Sequence, residues 1–201
     1  MLRRVAADSV EASKAAMRAG LLARRRSLTR GTLVIAAATL RRHVVGAVRS
    51  AGARQICAYV PIGAEPGSRI LLDALTIGGV EVLLPVLRDD RDLDWAAYTG
   101  PRSLYSAPNG LREPVGRRLG VNAVAAVDLL IVPALAVDGA GRRLGRGGGS
   151  YDRVLARVAP ELTVVALLHD GERVEEVPAE PHDRPVTHVV TPTDGWQPVT
   201  P

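Results

Sequence analysis

Apolar positions in this chain alternate between short continuous runs and stretches of helical spacing. Residues 10–26 predict a basic amphipathic helix on which Lys14 and Arg18, four apart, share a face. Residues 32–49 predict a second helix, with Leu33, Ala37, Leu40, Val44 and Val48 near helical spacing and Ser50-Ala51-Gly52 as its stop. Residues 55–60 read as a buried strand ended by Pro61-Ile62-Gly63, and residues 68–77 as a helix closed by Gly78-Gly79. Strands are expected at 80–84, ended by Pro85, and at 93–98. Residues 100–120, rich in Pro, Gly and Arg, predict an ordered loop. Residues 127–132 form the strongest strand signal, with Pro133 at its end. A helix at 154–158, strands at 162–168 and 187–191, and a loose tail at 196–201 complete the pattern.

Strands that are apolar throughout, alternating with helices, predict an α/β fold: a mainly parallel sheet covered on both faces. There is no internal repeat and no linker, so one domain with a core at about 10–192 is expected. Ligands of such folds sit at the carboxyl ends of the strands. The loops after Val60, Pro133 and Leu168 are therefore expected to line one site.

The densest chemistry follows the strongest strand. Six glycines lie between Gly139 and Gly149, with Arg142, Arg143 and Arg146 among them and Asp152 beyond. A strand, a glycine-rich loop and a helix in that order can lay backbone N–H groups around an anion. The arginines suit phosphate, and Asp152 suits the Mg²⁺ that accompanies a nucleotide. The loop has no lysine for a Walker A motif, and in a G-x-G-x-x-G reading the last glycine falls on Ser150 or Leu144.

Composition narrows the picture. Apolar residues make up 47% of the chain and phenylalanine is absent, so the core must be built from Leu, Val, Ile and Ala. Cys57 is the single cysteine, which excludes an internal disulfide and fits a reducing, cytoplasmic setting. Met1-Leu2-Arg3-Arg4 is basic but no apolar segment follows, and the run 33–40 is too short to span a membrane. The net charge of +5 comes from scattered arginines with few aromatic partners for base stacking, so a pocket for phosphates or carboxylates explains it at least as well as nucleic acid does. Lys14 is the only lysine, a point charge in a chain that elsewhere uses arginine.

These segments together resemble one family. Arg143-Leu144-Gly145-Arg146-Gly147-Gly148-Gly149-Ser150-Tyr151-Asp152 is similar to the R-L-G-x-G-x-G-Y-Y-D signature of the 5-formyltetrahydrofolate cyclo-ligases. The lead-in from Asp128 to Asp138, Lys14-Ala15-Ala16-Met17-Arg18, Tyr59-Val60-Pro61 with Glu65, Leu111-Arg112-Glu113-Pro114 and Pro181-His182-Asp183 resemble its other motifs. Two aromatic positions of the pattern are lost, at Ser150 and Val137.

The resemblance implies a three-layer, Rossmann-like fold shared with CoA transferases and glucosamine-phosphate isomerases. It implies an enzyme that closes 5-formyltetrahydrofolate to 5,10-methenyltetrahydrofolate with ATP and Mg²⁺. Lys14, Arg18 and Arg143 through Tyr151 would bind ATP. Val60, Glu65 and Arg146 through Ser150 would face the folate. Lys14, Arg146 and Tyr151 would act in catalysis, and Asp152 and Asp183 would hold Mg²⁺. A monomer is expected, with no nucleic-acid or membrane partner, and the arginines would suit a polyglutamate tail. Plainer roles stay open for single residues: Asp152 as a helix-terminal carboxylate, Asp183 as a turn cap, Glu65 as a loop acid, Arg18 as a solvated charge. So do two other functions, an ATP-binding paralogue with a non-folate substrate and a non-catalytic nucleotide- or RNA-binding protein. The spacing of His169, His182 and His188 is too irregular for a metal set.

Overall fold

The computed structural model describes residues 2–108, 110–179 and 183–199, with side chains from residue 10 onward. Helix α1 spans Leu2–Ser27 and begins earlier than its periodicity predicts. Thr29 then caps α2, Arg30–Ser50, its hydroxyl accepting from the Thr32 N–H at 3.1 Å. Strand β1, Gln55–Cys57, leads through α3, Arg69–Ile77, to β2, Glu81–Leu87, and β3, Leu93–Tyr98. A small hairpin follows, β4 Leu104–Ser106 and β5 Arg112–Pro114. After a 3-10 helix at Val121–Ala126 come β6, Leu129–Pro133, and a second hairpin, β7 Ala136–Val137 with β8 Arg143–Leu144. Helix α4, Ser150–Leu155, and strands β9 Thr163–Leu167, β10 His188–Thr191 and β11 Gly195–Pro198 complete the chain.

Seven strands form one sheet in the order β11-β10-β9-β6-β1-β2-β3. The inner five run parallel, and β11 and β3 close the edges antiparallel. Alternation along each inner strand sorts side chains to two faces. Leu129 and Ile131 of β6 join Ile56, Val82 and Leu84 against Leu40, Val44 and Val48 of α2 and Leu71, Leu72 and Leu75 of α3. Leu130 and Val132 join Cys57, Leu83 and Trp95 against Val154 and Leu155 of α4. This is the expected three-layer α/β arrangement. By length and composition α2 could cross a membrane, yet Ala36, Leu40, Val44 and Val48 bury one of its faces in the protein. Helix α1 lies apart from the large cores and packs Met17, Leu21 and Leu22 on Leu135, Ala136, Leu144 and Val177.

Several expectations are corrected. Strand β2 runs through Pro85, which pairs with Trp95 of β3 beyond the point where β1 stops at Cys57↔Leu83. The missing N–H of Pro85 therefore breaks no bond to β1. Conversely β1 is shorter than 55–60: Tyr59 and Val60 are buried but turn into a loop. The expected loop 100–120 contains the 3-10 helix Pro101–Ser103 and the β4–β5 hairpin. The expected loose tail is strand β11 as far as Pro198, with the Trp196 ring 5.4 Å from that of His188.

Candidate active site

Strand order reverses between β1 and β6: from β1 the chain goes first to β2 on one side, then to β6 on the other. Crevices open at the carboxyl ends of strands at such a switch point. Here a cleft of about 280 Å³ lies against Tyr59 and Val60 after β1 and Pro133 and Ala134 after β6. The β7–β8 hairpin, whose second strand runs into the glycine loop, supplies Arg143 through Asp152 to its wall.

Helix α1 lays a cationic edge along this wall. Lys14 is only 7% exposed and its ammonium bonds Asp183 at 2.8 Å. One turn on, Arg18 donates to the Gly145 carbonyl at 3.1 Å and to Glu11 at 2.7 Å. Arg25 makes a two-pronged pair with Glu172, 2.7 and 2.8 Å, and donates to the Ala134 carbonyl at 2.6 Å.

The loop needs glycine for two distinct reasons. A Cβ on Gly145 would stand 2.6 Å from Nη1 of Arg143, whose guanidinium is pinned by the Pro133 carbonyl and, at 2.5 Å, by Asp152. Gly147 has φ +92°, a conformation that disfavours any Cβ, and sits against the Arg18 guanidinium. Arg146, half exposed, reaches across the cleft to Glu65 at 2.9 Å. The other Glu65 oxygen accepts from the Ile62 N–H at 2.9 Å, so Glu65 ties the loop after β1 to the glycine loop.

Helix α4 has six residues, fewer than two turns, so its dipole is small beside the four cations Lys14, Arg18, Arg143 and Arg146. Ser150 opens it, and Tyr151 packs between both large cores. The Tyr151 hydroxyl is buried with no hydrogen-bond partner among the described residues. Burial pushes its pKa up, with the Glu65 carboxylate adding to this and Arg143 opposing. Burial likewise raises Tyr59, with Glu65 adding and Arg25 opposing, while its hydroxyl donates to the Pro66 carbonyl at 2.7 Å.

All the residues expected to form the site therefore line one cleft: Lys14, Arg18, Val60, Glu65, residues 143–151, Asp152 and Asp183. The motif's Pro181 and His182 lie outside the described residues. No three acid, His or Cys side chains converge among the described residues. Asp152 and Asp183 are each held by a cation instead, Arg143 and Lys14. Two cleft carboxylates still match Mg²⁺, which takes one or two from protein and completes its shell with phosphate and water.

The loop after Leu168, expected to line the site, braces it from behind. The His169 ring contacts the Ala64 carbonyl at 2.9 Å and its N–H donates to Glu172 at 2.8 Å. Sequence reasoning gave no role to Arg25, Glu172 or Glu113. Glu113 is buried at the cleft wall and accepts from the Leu87 N–H at 3.2 Å and the Tyr105 hydroxyl at 3.0 Å. Neither Tyr98 nor Tyr105 lines the cleft; Tyr98 donates to Asp73 at 2.6 Å.

Comparison with known proteins identifies the family. A profile of the 5-formyltetrahydrofolate cyclo-ligase family matches residues 10–192. The 5-formyltetrahydrofolate cyclo-ligase of Mycolicibacterium smegmatis is 45% identical over 188 residues, 91% of this chain and 95% of that protein. The Escherichia coli K12 enzyme of the same name is 32% identical over 72% of this chain and 81% of its own. Among solved structures, the 5,10-methenyltetrahydrofolate synthetase of Aquifex aeolicus superposes with a TM-score of 0.75 at 26% identity, covering 94% of this chain and 93% of that one. The match extends through the α1 cations, the glycine loop and the strands between them, and the chain belongs to the 5-formyltetrahydrofolate cyclo-ligase family.

Proposed function

We propose that this protein converts 5-formyltetrahydrofolate and ATP to 5,10-methenyltetrahydrofolate, ADP and phosphate. The observation that carries the reading is the cleft at the β1–β6 switch point. There a cation-rich wall from α1 and the glycine loop meets an apolar wall of Pro85, Leu87 and Leu93. One wall suits a triphosphate and the other a fused ring.

An N-formyl amide is a poor electrophile because its nitrogen lone pair is delocalised. Transfer of the γ-phosphoryl group to the formyl oxygen converts that oxygen into part of a leaving group. N10 then attacks the formyl carbon and gives up its proton, the C–O bond breaks, and phosphate departs as the ring closes. Catalysis of such a transfer is mainly alignment and charge neutralisation. Lys14 and Arg18 hold the phosphates, and Lys14 exchanges the Asp183 carboxylate for a phosphate oxygen. Arg146, half exposed and bonded to Glu65, is free enough to follow the moving charge. Gly147 through Ser150 let the backbone approach the reacting groups. Tyr151 offers its ring to the wall. Asp152 and Asp183 would hold Mg²⁺, which draws charge from the phosphates when bound.

The test is direct. Purified protein given ATP, Mg²⁺ and 5-formyltetrahydrofolate should generate the near-ultraviolet chromophore of the methenyl product with one ADP per ring closed. Folded, ATP-binding protein that forms no chromophore overturns the assignment.

A further inference from the structure

Five acids are buried among the described residues: Glu65, Asp92, Glu113, Asp138 and Glu172. Four of them face a guanidinium, respectively Arg146, Arg157, Arg142 and Arg25. Glu113 is the exception, with no ion pair among the described residues. It is 4% exposed, and its only donors are two neutral groups, the Leu87 N–H and the Tyr105 hydroxyl, one to each oxygen. A carboxylate has about four acceptor positions, so half of its capacity is unused. Burying a carboxylate without a cation is unfavourable unless something else meets it.

Its place says what meets it. Glu113 lines the cleft beside Pro85, Leu87, Leu93 and Leu111, on the wall made by β2, β3 and β5. Other elements than α1 and the β7–β8 hairpin make this wall, and its one cation among the described residues, the exposed Arg112, forms no ion pair with Glu113. Strand β5 packs on β2 and β3, which holds Glu113 at that end. The ligand group required is flat, apolar on its faces, and edged by two adjacent N–H donors. The aminopyrimidinone edge of a reduced pterin has this form, with its 2-amino group and N3–H side by side. The adenine edge does not, since its amino group adjoins a ring acceptor. Glu65 differs in having a counter-charge, Arg146, beside the Ile62 N–H, so its burial is already compensated where that of Glu113 is not.

We propose that Glu113 is the residue that recognises the pterin of the substrate, accepting the 2-amino and N3 hydrogens at the end of the cleft away from the phosphates. The inference rests on the folate reading above. Leu87 N–H and Tyr105 hydroxyl then orient the carboxylate, and the apolar neighbours keep water from competing with the ring.

The experiment compares 5-formyltetrahydrofolate with its 2-desamino analogue on the wild-type protein and on Glu113→Gln, with thermal unfolding of both. Losing a hydrogen bond to a charged group should weaken binding about 10- to 100-fold. The wild type should therefore reject the analogue by that factor. Glu113→Gln should raise the KM for 5-formyltetrahydrofolate similarly, leave the KM for ATP within about twofold, and lose the discrimination. If the variant does not fold, the wild-type comparison alone decides, since it needs no substitution. Wild-type protein that closes 5-formyltetrahydrofolate but accepts the analogue equally overturns the Glu113 role and leaves the cyclo-ligase reading standing. An unchanged KM in folded Glu113→Gln does the same. Wild-type protein that closes no folate overturns both.

Discussion

Replacing Glu172 by glutamine tests how α1 is fixed to the rest of the protein. The Arg25 and Glu172 side chains are 4% and 3% exposed, and their pair closes through two bonds of 2.7 and 2.8 Å. Glutamine keeps the shape and can still accept from His169, but it leaves the Arg25 charge buried without a counter-charge. Breaking a buried pair from one side costs about 3–5 kcal/mol. For a chain of this size each kcal/mol lowers the Tm by about 2–4 °C, so the expected loss is roughly 6–20 °C. Adding Arg25→Met removes the stranded charge, and the double variant should recover part of the loss. The Ala134 carbonyl, which Arg25 bonds at 2.6 Å, then lacks its donor and keeps about 1–3 kcal/mol of the deficit. Urea unfolding of wild type, both single variants and the double variant measures the coupling directly, with at least about 2 kcal/mol expected. A loss below about 1 kcal/mol in Glu172→Gln, or strictly additive effects, would refute the clamp. Because Ala134 lines the cleft, the KM for ATP should rise in both single variants.

Four further outcomes are expected. Lys14→Ala should raise the KM for ATP at least about tenfold with little change for folate, and Lys14→Arg should restore only part of it; steady-state kinetics with each substrate varied will show this. Asp152→Asn and Asp183→Asn should each stay folded but require more Mg²⁺ for half-maximal rate, measured by Mg²⁺ titration of activity, and each should lower the Tm because a largely buried cation, Arg143 or Lys14, loses its counter-charge. Ser150→Tyr places a ring in a cleft that Tyr98 and Tyr105 do not reach, and should tighten folate severalfold, about 1 kcal/mol, leaving the KM for ATP unchanged. The Arg157 hydrogen bonds hold the Asp92 carboxyl below the usual range, with burial opposing and the Leu93 N–H adding. Its stabilisation is complete above the unfolded aspartate value of about 3.9 and is lost as pH falls through the lower folded value, so Asp92→Asn should lower the Tm at pH 7 and flatten its acid limb.

The parts legible in the sequence were those whose signal is local. Leu129 to Val132 are buried on both faces of the sheet, so their apolar run announces a central strand without ambiguity. The glycine loop declares itself by composition, and the motifs around Lys14 and Glu65 follow from family resemblance. What was missed depends on distant partners. Pro85 reads as a strand end, and only the early stop of β1 makes it harmless within β2. Trp196 reads as tail because β10 must exist before it can pair with it. Arg25 and Glu172 stand 147 positions apart, and each alone resembles a surface charge. Glu113 sits in a stretch whose Pro, Gly and Arg content signals a loop, yet the β4–β5 hairpin turns it inward.

The contacts of α1 also order events during synthesis. Its partners lie 109 to 169 residues downstream, from the Ala134 carbonyl to Asp183. Lys14 leaves the ribosome 169 residues before the carboxylate it pairs with. A nascent chain can build much of the sheet while the helix still waits undocked, and loop closure over such distances adds entropy to the final step. The cationic wall of the cleft is thus completed only after Asp183 has been made. A ligand that spans the cleft would bridge α1 to segments far downstream of it, coupling binding to folding by mass action.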